Sequence, residues 1–465
     1  MSNLNRLFTL TPRLIIIVLG LLTSLAVNAQ TYFYSSMARE YEVTFQSVFV
    51  TSQLRLDQVS RLSEKEQMAL VRREIAPIAD FLFGPLVTRH LGAPQRTQKI
   101  NVVWSGAREV DGRLELPYEY AGTWILSKSI ATQGEFTIPV PVNTDPLYTP
   151  GWRGCTDSQR EHQTPTFYWY FWDPQRPACD HVQDNHYREV TVHVGRQTEN
   201  QARTAPEYER LFREIRTNEA RSSRELRITI AFGYLKDPET FAPDLDDDPG
   251  MAEYRHFINL MRAQWGSVLS ESLIVQGEYR SAVNAELAIG RRFTGELNGS
   301  KVVVNVVTSA GIDQMELFAK SFAHDHDGVF AWFGHSRVGS GFDADRFGMM
   351  LARDPHYYSV TPEYQIVYWG GCNSYSYYTL PFFSFKAQAS EGKDPKGTKG
   401  LDIIANGLPS YFGLGADNAQ TVVDQFLHWP ERRTYQRMVN QIELSARQYG
   451  WSVFAVVLGD EDNGS

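Results

Sequence analysis

His335 and Cys372 are the two side chains whose setting in this sequence suggests covalent chemistry. The first closes the phrase Gly328-Val329-Phe330-Ala331-Trp332-Phe333-Gly334-His335-Ser336. The second closes Gln365-Ile366-Val367-Tyr368-Trp369-Gly370-Gly371-Cys372, followed by Asn373-Ser374. Short apolar runs rich in β-branched and aromatic residues and bounded by glycine predict strands buried on both faces, as in a parallel sheet. Two neighbouring parallel strands deliver their C-terminal ends to one sheet edge, where open α/β sheets carry their sites. An imidazole and a thiol placed there can work together: the ring takes the thiol proton and the thiolate attacks a carbonyl carbon.

Such a pair needs a scaffold in which strands and helices alternate, and from residue 226 onward the pattern supplies one. Residues 226–235 read as a strand, and 250–272 as a helix with Tyr254, Phe257, Ile258, Met261 and Trp265 on one apolar stripe. Residues 286–299 read as a strand closed by an Asn298-Gly299 turn, and 301–308 as a strongly β-branched strand. A helix over 312–324 leads into the histidine phrase, and a loop with a short helix near 347–352 leads on to the cysteine phrase. Beyond it come an apolar helix or turn over 382–389, a strand at 402–405, an amphipathic helix at 432–448 and a closing strand at 453–458. Residues 35–90 show helical spacing, with Pro77 as a kink or break. Residues 99–194 are rich in Val, Ile, Tyr, Trp and Thr with turn residues between, which predicts a largely antiparallel β unit. A polar stretch at 196–205 reads as a linker, and 206–218 as a helix.

The two phrases, in the order histidine then cysteine with one loop and helix between, resemble the caspase-like cysteine peptidases, a group that includes metacaspases, gingipains and clostripain. The resemblance covers residues 226 to about 409 and rests on those two motifs. It implies an α/β fold, a caspase-like three-layer α/β/α domain with a mainly parallel sheet over 206–465. That domain would follow a helical region at 30–98 and a β-rich accessory domain at 99–205. It also implies that Cys372 is the nucleophile, that His335 is general base and acid, and that the backbone amides of Ser336 and Cys372 form the oxyanion hole. The substrate would be a protein or peptide, with no cofactor and no metal. The family normally carries Gly where Ser336 stands, a position at which the backbone turns sharply, and Ser reaches fewer of those conformations. A non-catalytic binding or scaffold protein on the same fold is therefore the alternative from a different class.

Other constellations compete for the same residues. Gly334-His335-Ser336-Arg337-Val338 approaches the Gly-x-Ser-x-Gly elbow of serine hydrolases with Ser336 as nucleophile, although Val338 replaces the final small residue. Asp343 and Asp345 can pair with a basic substrate side chain, or serve as turn-forming and solvated charges. His324 and His326 form a His-x-His at a helix end, where a metal or the helix dipole can use them. The aromatic string at 167–172 and the aromatics after Cys372 (Tyr375, Tyr377, Tyr378, Phe382, Phe383) read either as core or as binding surface. The acidic run Asp244-Leu245-Asp246-Asp247-Asp248 lacks the full calcium-loop pattern and reads as a turn.

Residues 1–29 have the form of a secretory leader: Arg6 and Arg13, an apolar run at 14–26, and Val27-Asn28-Ala29 as the cleavage site. The expected location is periplasmic or secreted, with no stable membrane insertion after cleavage. In that oxidising setting Cys155 and Cys179 are expected to form a disulfide, closing a loop of about 25 residues; zinc held with His162, His181 or His186 is the rival. The formal charge of −9 argues against nucleic acid as a partner.

Overall fold

The computed structural model describes residues 35–144, 172–175, 185–198, 204–218, 221–234, 247–336, 342–460 and 463. The leader-like residues 1–29, Cys155, Cys179, His162 and His181 lie outside these. The described chain is a mixed α/β structure with two sheets.

The first sheet is antiparallel and comprises β1 (Ala38–Thr51), β2 (Gly92–Val102), β3 (Arg108–Val110), β4 (Arg113–Ser127), β5 (Glu135–Pro141) and β6 (Tyr187–Gln197). Its spatial order is β2–β4–β1–β6–β5, with β3 paired to β4. The helical reading of 35–90 fails at its start, because β1 is a 14-residue strand. Val43, Phe45 and Phe49 are buried at even spacing, a two-residue period that the longer helical window obscured. Helix begins with one turn at Leu56–Val59 and continues at Glu64–Leu70, capped by Ser63. It passes through a π turn into a 3-10 stretch, Ala76–Leu82, whose first turn carries Pro77, so the proline does interrupt the helix. Helix α1 (Phe83–Thr88) follows. From the aromatic string at 167–172, Trp172 is described; it is buried edge-on against Phe81 at 5.5 Å, as a core residue.

The second sheet contains β7 (Phe212–Asn218), β8 (Arg221–Phe232), β9 (Leu269–Val275), β10 (Ala288–Leu297), β11 (Ser300–Thr308), β12 (Val329–Phe333), β13 (Gln365–Trp369), β14 (Leu401–Asn406) and β15 (Ala455–Leu458). The order is β15–β14–β13–β12–β8–β11–β10–β9, with β7 paired to β8. From β14 to β11 the neighbours are parallel. β15 on one side and β10 and β9 on the other run antiparallel. The helix expected at 206–218 is instead a single 3-10 turn, Tyr208–Leu211, followed by β7, because pairing with β8 captures this segment. Asn298 and Gly299 both have positive φ, 46° and 74°, in the two-residue turn that joins β10 to β11.

Among the described residues six helices accompany the second sheet: α2 (Pro249–Trp265), α3 (Gln314–Ala319), α4 (Ala344–Arg353), α5 (Ser374–Ala389), α6 (Gly415–Leu427) and α7 (Tyr435–Gln448). They fall into two packed groups, α2 with α6 and α7, and α3 with α4 and α5. The strands between them are buried throughout: every residue of β12, β13 and β14 is inaccessible to solvent or nearly so. The core of this sheet also takes in Ala38, Phe83, Val87, Ala93 and Ile125 from the first half of the chain, so the two sheets share packing. Among the described residues no helix is long and apolar enough to cross a membrane.

The two motif strands are tied together at their N-terminal ends. Gln365, the first residue of β13, donates through Nε2 to the Asp327 carbonyl (2.8 Å) and accepts at Oε1 from Lys386 of α5 (2.7 Å). Asp327, just ahead of β12, accepts from the hydroxyls of Thr229 (2.6 Å) and Ser321 (2.7 Å). Burial, with Asp325 nearby, pushes its carboxyl up to about 6. A carboxyl whose folded pKa is raised stabilises the fold when protonated; that contribution is complete below about pH 4 and is lost as pH rises through about 6. Relative to Asp327→Asn, the wild type should therefore gain about 1 kcal/mol between pH 7 and pH 5, read from urea midpoints at the two pH values. Parallel pH slopes for the two proteins would contradict this assignment.

Candidate active site

β12 and β13 pair in parallel with Trp332 opposite Trp369. His335 and Cys372 each lie three residues beyond that pair, so equal lengths of chain carry them off the sheet at the same edge. They line one pocket of about 200 Å³. Its remaining walls come from the C-terminal end of β8 (Phe232), from α2 (Glu253) and from the segment after β14 (Ser410, Tyr411, Phe412). Close approach of backbone makes the floor. A Cβ on Gly370 would lie 2.8 Å from the Trp332 carbonyl oxygen, and one on Gly250 would lie 1.9 Å from the Gly233 carbonyl oxygen. No side chain fits at either position without a shift of main chain.

The turn carrying Cys372 is tight. Asn373 is left-handed (φ 48°, ψ 33°), which Asn tolerates better than most residues, and it precedes the first residue of α5. Its side-chain amide donates to the Gly407 carbonyl (2.7 Å) and its backbone N–H to the Leu408 carbonyl (3.3 Å). The Ser374 hydroxyl donates to the Trp369 carbonyl (2.6 Å) and accepts from the Asn406 N–H (2.8 Å). Cys372 is thus held at a strand-to-helix corner, half-buried, between β13 and the segment after β14.

Burial pushes the Cys372 thiol above its ordinary pKa, and the thiol donates to the Ser410 carbonyl oxygen at 3.4 Å. At neutral pH the sulfur keeps its proton, so a base has to remove it before attack. The half-buried His335 ring meets the Phe412 ring edge-on at 5.3 Å, and its carbonyl accepts from Trp332 Nε1 at 3.0 Å. Glu253 has its carboxyl pKa raised by burial, while its Oε2 accepts the Ala416 N–H at the start of α6 (2.7 Å). Burial, and after it the neighbouring Cys372, raises the Tyr411 hydroxyl pKa; the Tyr411 ring stacks on Trp451 at 4.0 Å.

The other sequence candidates lie elsewhere. Asp343 caps α4, accepting from the backbone N–H groups of Asp345 (2.8 Å) and Arg346 (3.2 Å), and Asp345 is exposed. Neither lines the pocket, and the carboxylate that does is Glu253. Ser336 is 3% exposed and also stands outside the pocket lining. Its backbone nitrogen lies 3.4 Å from where a Gly371 Cβ would stand, so the strand ends touch there. His324 stacks on Tyr357 (4.1 Å) with Nδ1 against Asp325 (2.6 Å). His326 is partly buried with a left-handed backbone. Among the described residues no three His, Cys, Asp or Glu side chains cluster as a metal site. Of the acidic run, Asp248 caps α2. Tyr375, Tyr377, Tyr378, Phe382 and Phe383 are all buried, as packing residues of α5.

Glu253, Tyr411 and Phe412 escape sequence reasoning. Glu253 is one polar position on a helix whose apolar stripe dominated the pattern, and the segment after β14 carries no motif. Searches of known family models, of curated proteins and of solved structures find nothing that matches this chain. Asn373→Ala tests the corner. Losing the residue type suited to the left-handed conformation and the bond to Gly407 should each cost about 1 kcal/mol, giving a total near 2 kcal/mol in urea denaturation. A change under about 0.5 kcal/mol would mean that the turn is not under this constraint.

Proposed function

We propose that this chain is a caspase-like cysteine peptidase that hydrolyses peptide bonds through Cys372 and His335. One observation carries the reading: adjacent parallel strands deliver the imidazole and the sulfur, at equal offsets, to the walls of one pocket. In this mechanism the thiol turns from the Ser410 carbonyl to the His335 ring, which takes its proton as the sulfur attacks the substrate carbonyl carbon. The negative oxygen that forms is met by the Ser336 and Cys372 amides, on stretches of backbone that approach each other beyond β12 and β13. His335 then gives its proton to the departing amine, leaving an acyl-cysteine. A water deprotonated by the same ring hydrolyses the thioester and restores the thiol. The substrate side chain follows the carboxylate in the pocket: Glu253, among aromatic walls, favours a basic group. An extracytoplasmic location belongs to the same proposal and rests on residues 1–29.

The raised thiol pKa and Ser336 in place of Gly favour one second reading, a binding protein that keeps the fold without turnover. Hydrolysis of a peptide library separates the two. Cys372→Ala and His335→Ala should each remove activity by a factor on the order of 10³ or more, with Ser336→Ala far less affected. Activity that survives Cys372→Ala and vanishes in Ser336→Ala would transfer the role to the serine. No hydrolysis by wild type, with a thiol alkylated equally slowly in His335→Ala, would leave the binding protein. Glu253→Gln should lower kcat/KM for Lys or Arg substrates about tenfold, while leaving apolar substrates within about twofold.

A further inference from the structure

The five residues after the candidate nucleophile each hold a different part of the molecule. Asn373 and Ser374 bond to the segments around β13 and β14, as described above. The next three reach into the first half of the chain. The Tyr375 hydroxyl donates to Glu40 Oε2 on β1 (2.5 Å), the Ser376 hydroxyl donates to the Pro94 carbonyl on β2 (2.5 Å), and the Tyr377 ring stacks on Phe83 of α1 (5.8 Å). Glu40 is 7% exposed and Tyr375 fully buried, and Glu40 Oε1 also accepts from the Thr198 hydroxyl (2.6 Å). A carboxylate is a costly group to bury, and one oxygen of this one accepts from the hydroxyl three residues from the thiol.

We infer that Glu40, on the antiparallel sheet, is a positioning residue for Cys372, acting through Tyr375 to fix the first turn of α5. This rests on the dyad reading above. The bonds of Asn373 and Ser374 fix only the first residue of α5 to its own sheet, and the turn that follows could still rock about that end. A second anchor from a different sheet, bonded one residue further on, removes that freedom. The sulfur and the imidazole then keep the separation that proton transfer needs, and displacement of about 1 Å at a reacting pair can lower a rate by as much as 10²-fold. The first sheet is by this account a working part of the site, although none of its residues lines the pocket.

The experiment is alkylation of full-length protein by iodoacetamide across roughly pH 6 to 9, read at the Cys372 peptide by mass spectrometry. Tyr375→Phe keeps the ring and removes the bond. It should slow labelling about tenfold near neutral pH and move the pH profile toward that of His335→Ala. Glu40→Ala should do the same, whereas Glu40→Gln, which can still accept from the hydroxyl, should restore most of the rate. Tyr120→Phe is the matched control, since it deletes a buried hydroxyl that accepts from Trp124 Nε1 (2.8 Å) inside the first sheet. It should lower Tm and leave labelling at the wild-type rate. Wild-type labelling in Tyr375→Phe and Glu40→Ala, with Tm reduced, would overturn the proposal and leave the contact to the fold alone. Equal rates in wild type and His335→Ala would overturn the dyad and the positioning role together, and that result is read before any Glu40 or Tyr375 variant is made.

Discussion

The candidate site depends on the parallel register between β12 and β13. Side chains alternate faces along a strand, so a slip of one residue would turn the tryptophan pair and everything beyond it to the opposite face. Two devices fix the register. Within the sheet, Phe330, Trp332, Tyr368 and Trp369 are large, fully buried side chains on strands buried on both faces, so a slipped alignment would have to repack both layers. At the N-terminal ends, Gln365 joins the Asp327 carbonyl to Lys386, and Asp327 is itself bonded to Thr229 on β8. The polar groups at the base are buried and costly to leave unpaired, so a slipped alignment would break several bonds at once. Specificity at the functional edge is thus set partly at the opposite end of the strands.

A second tension lies at the thiol. Burial favours the protonated form, whereas covalent catalysis needs the thiolate, and the structure resolves this toward the resting side with the Ser410 carbonyl as acceptor. Such a thiol is protected from adventitious oxidation and is released only when another group competes for its proton. The same tripeptide that supplies that carbonyl sets Phe412 against the imidazole. Both members of the pair therefore contact one short segment.

The second sheet was largely legible in the sequence. Runs such as Val302 to Val307 and Val329 to Phe333 are too apolar and too short for anything but buried strands, and the Asn298-Gly299 turn announced its hairpin. The strands of the His335 and Cys372 phrases were legible for the same reason, and their parallel pairing carries both residues to one edge. The pocket's other walls were not. Glu253 and Phe412 reach it from elements far apart in the chain, where only tertiary packing brings them near. Asp343 shows how local chemistry is read more easily than tertiary chemistry: of its two readings, the turn-forming one holds, since it caps α4 and does not line the pocket. In β1, alternation over Tyr41, Val43 and Phe45 carried the correct signal, but the helical spacing further on dominated a window that spanned both.

The shared packing bears on how the molecule can come apart. Separating the first sheet from the second would expose Ile125, which contacts the backbone at Gly407, and would break the Ser35 to Ala455 backbone bond (3.1 Å). It would also take the Tyr375 and Ser376 hydroxyls from their acceptors on β1 and β2. Water would replace the lost partners, so each bond contributes about 0.5 to 1.5 kcal/mol, in addition to the apolar surface that separation would expose. The sheets therefore have little to gain as independent units. The antiparallel half is better understood as the far wall against which the helix behind Cys372 is braced.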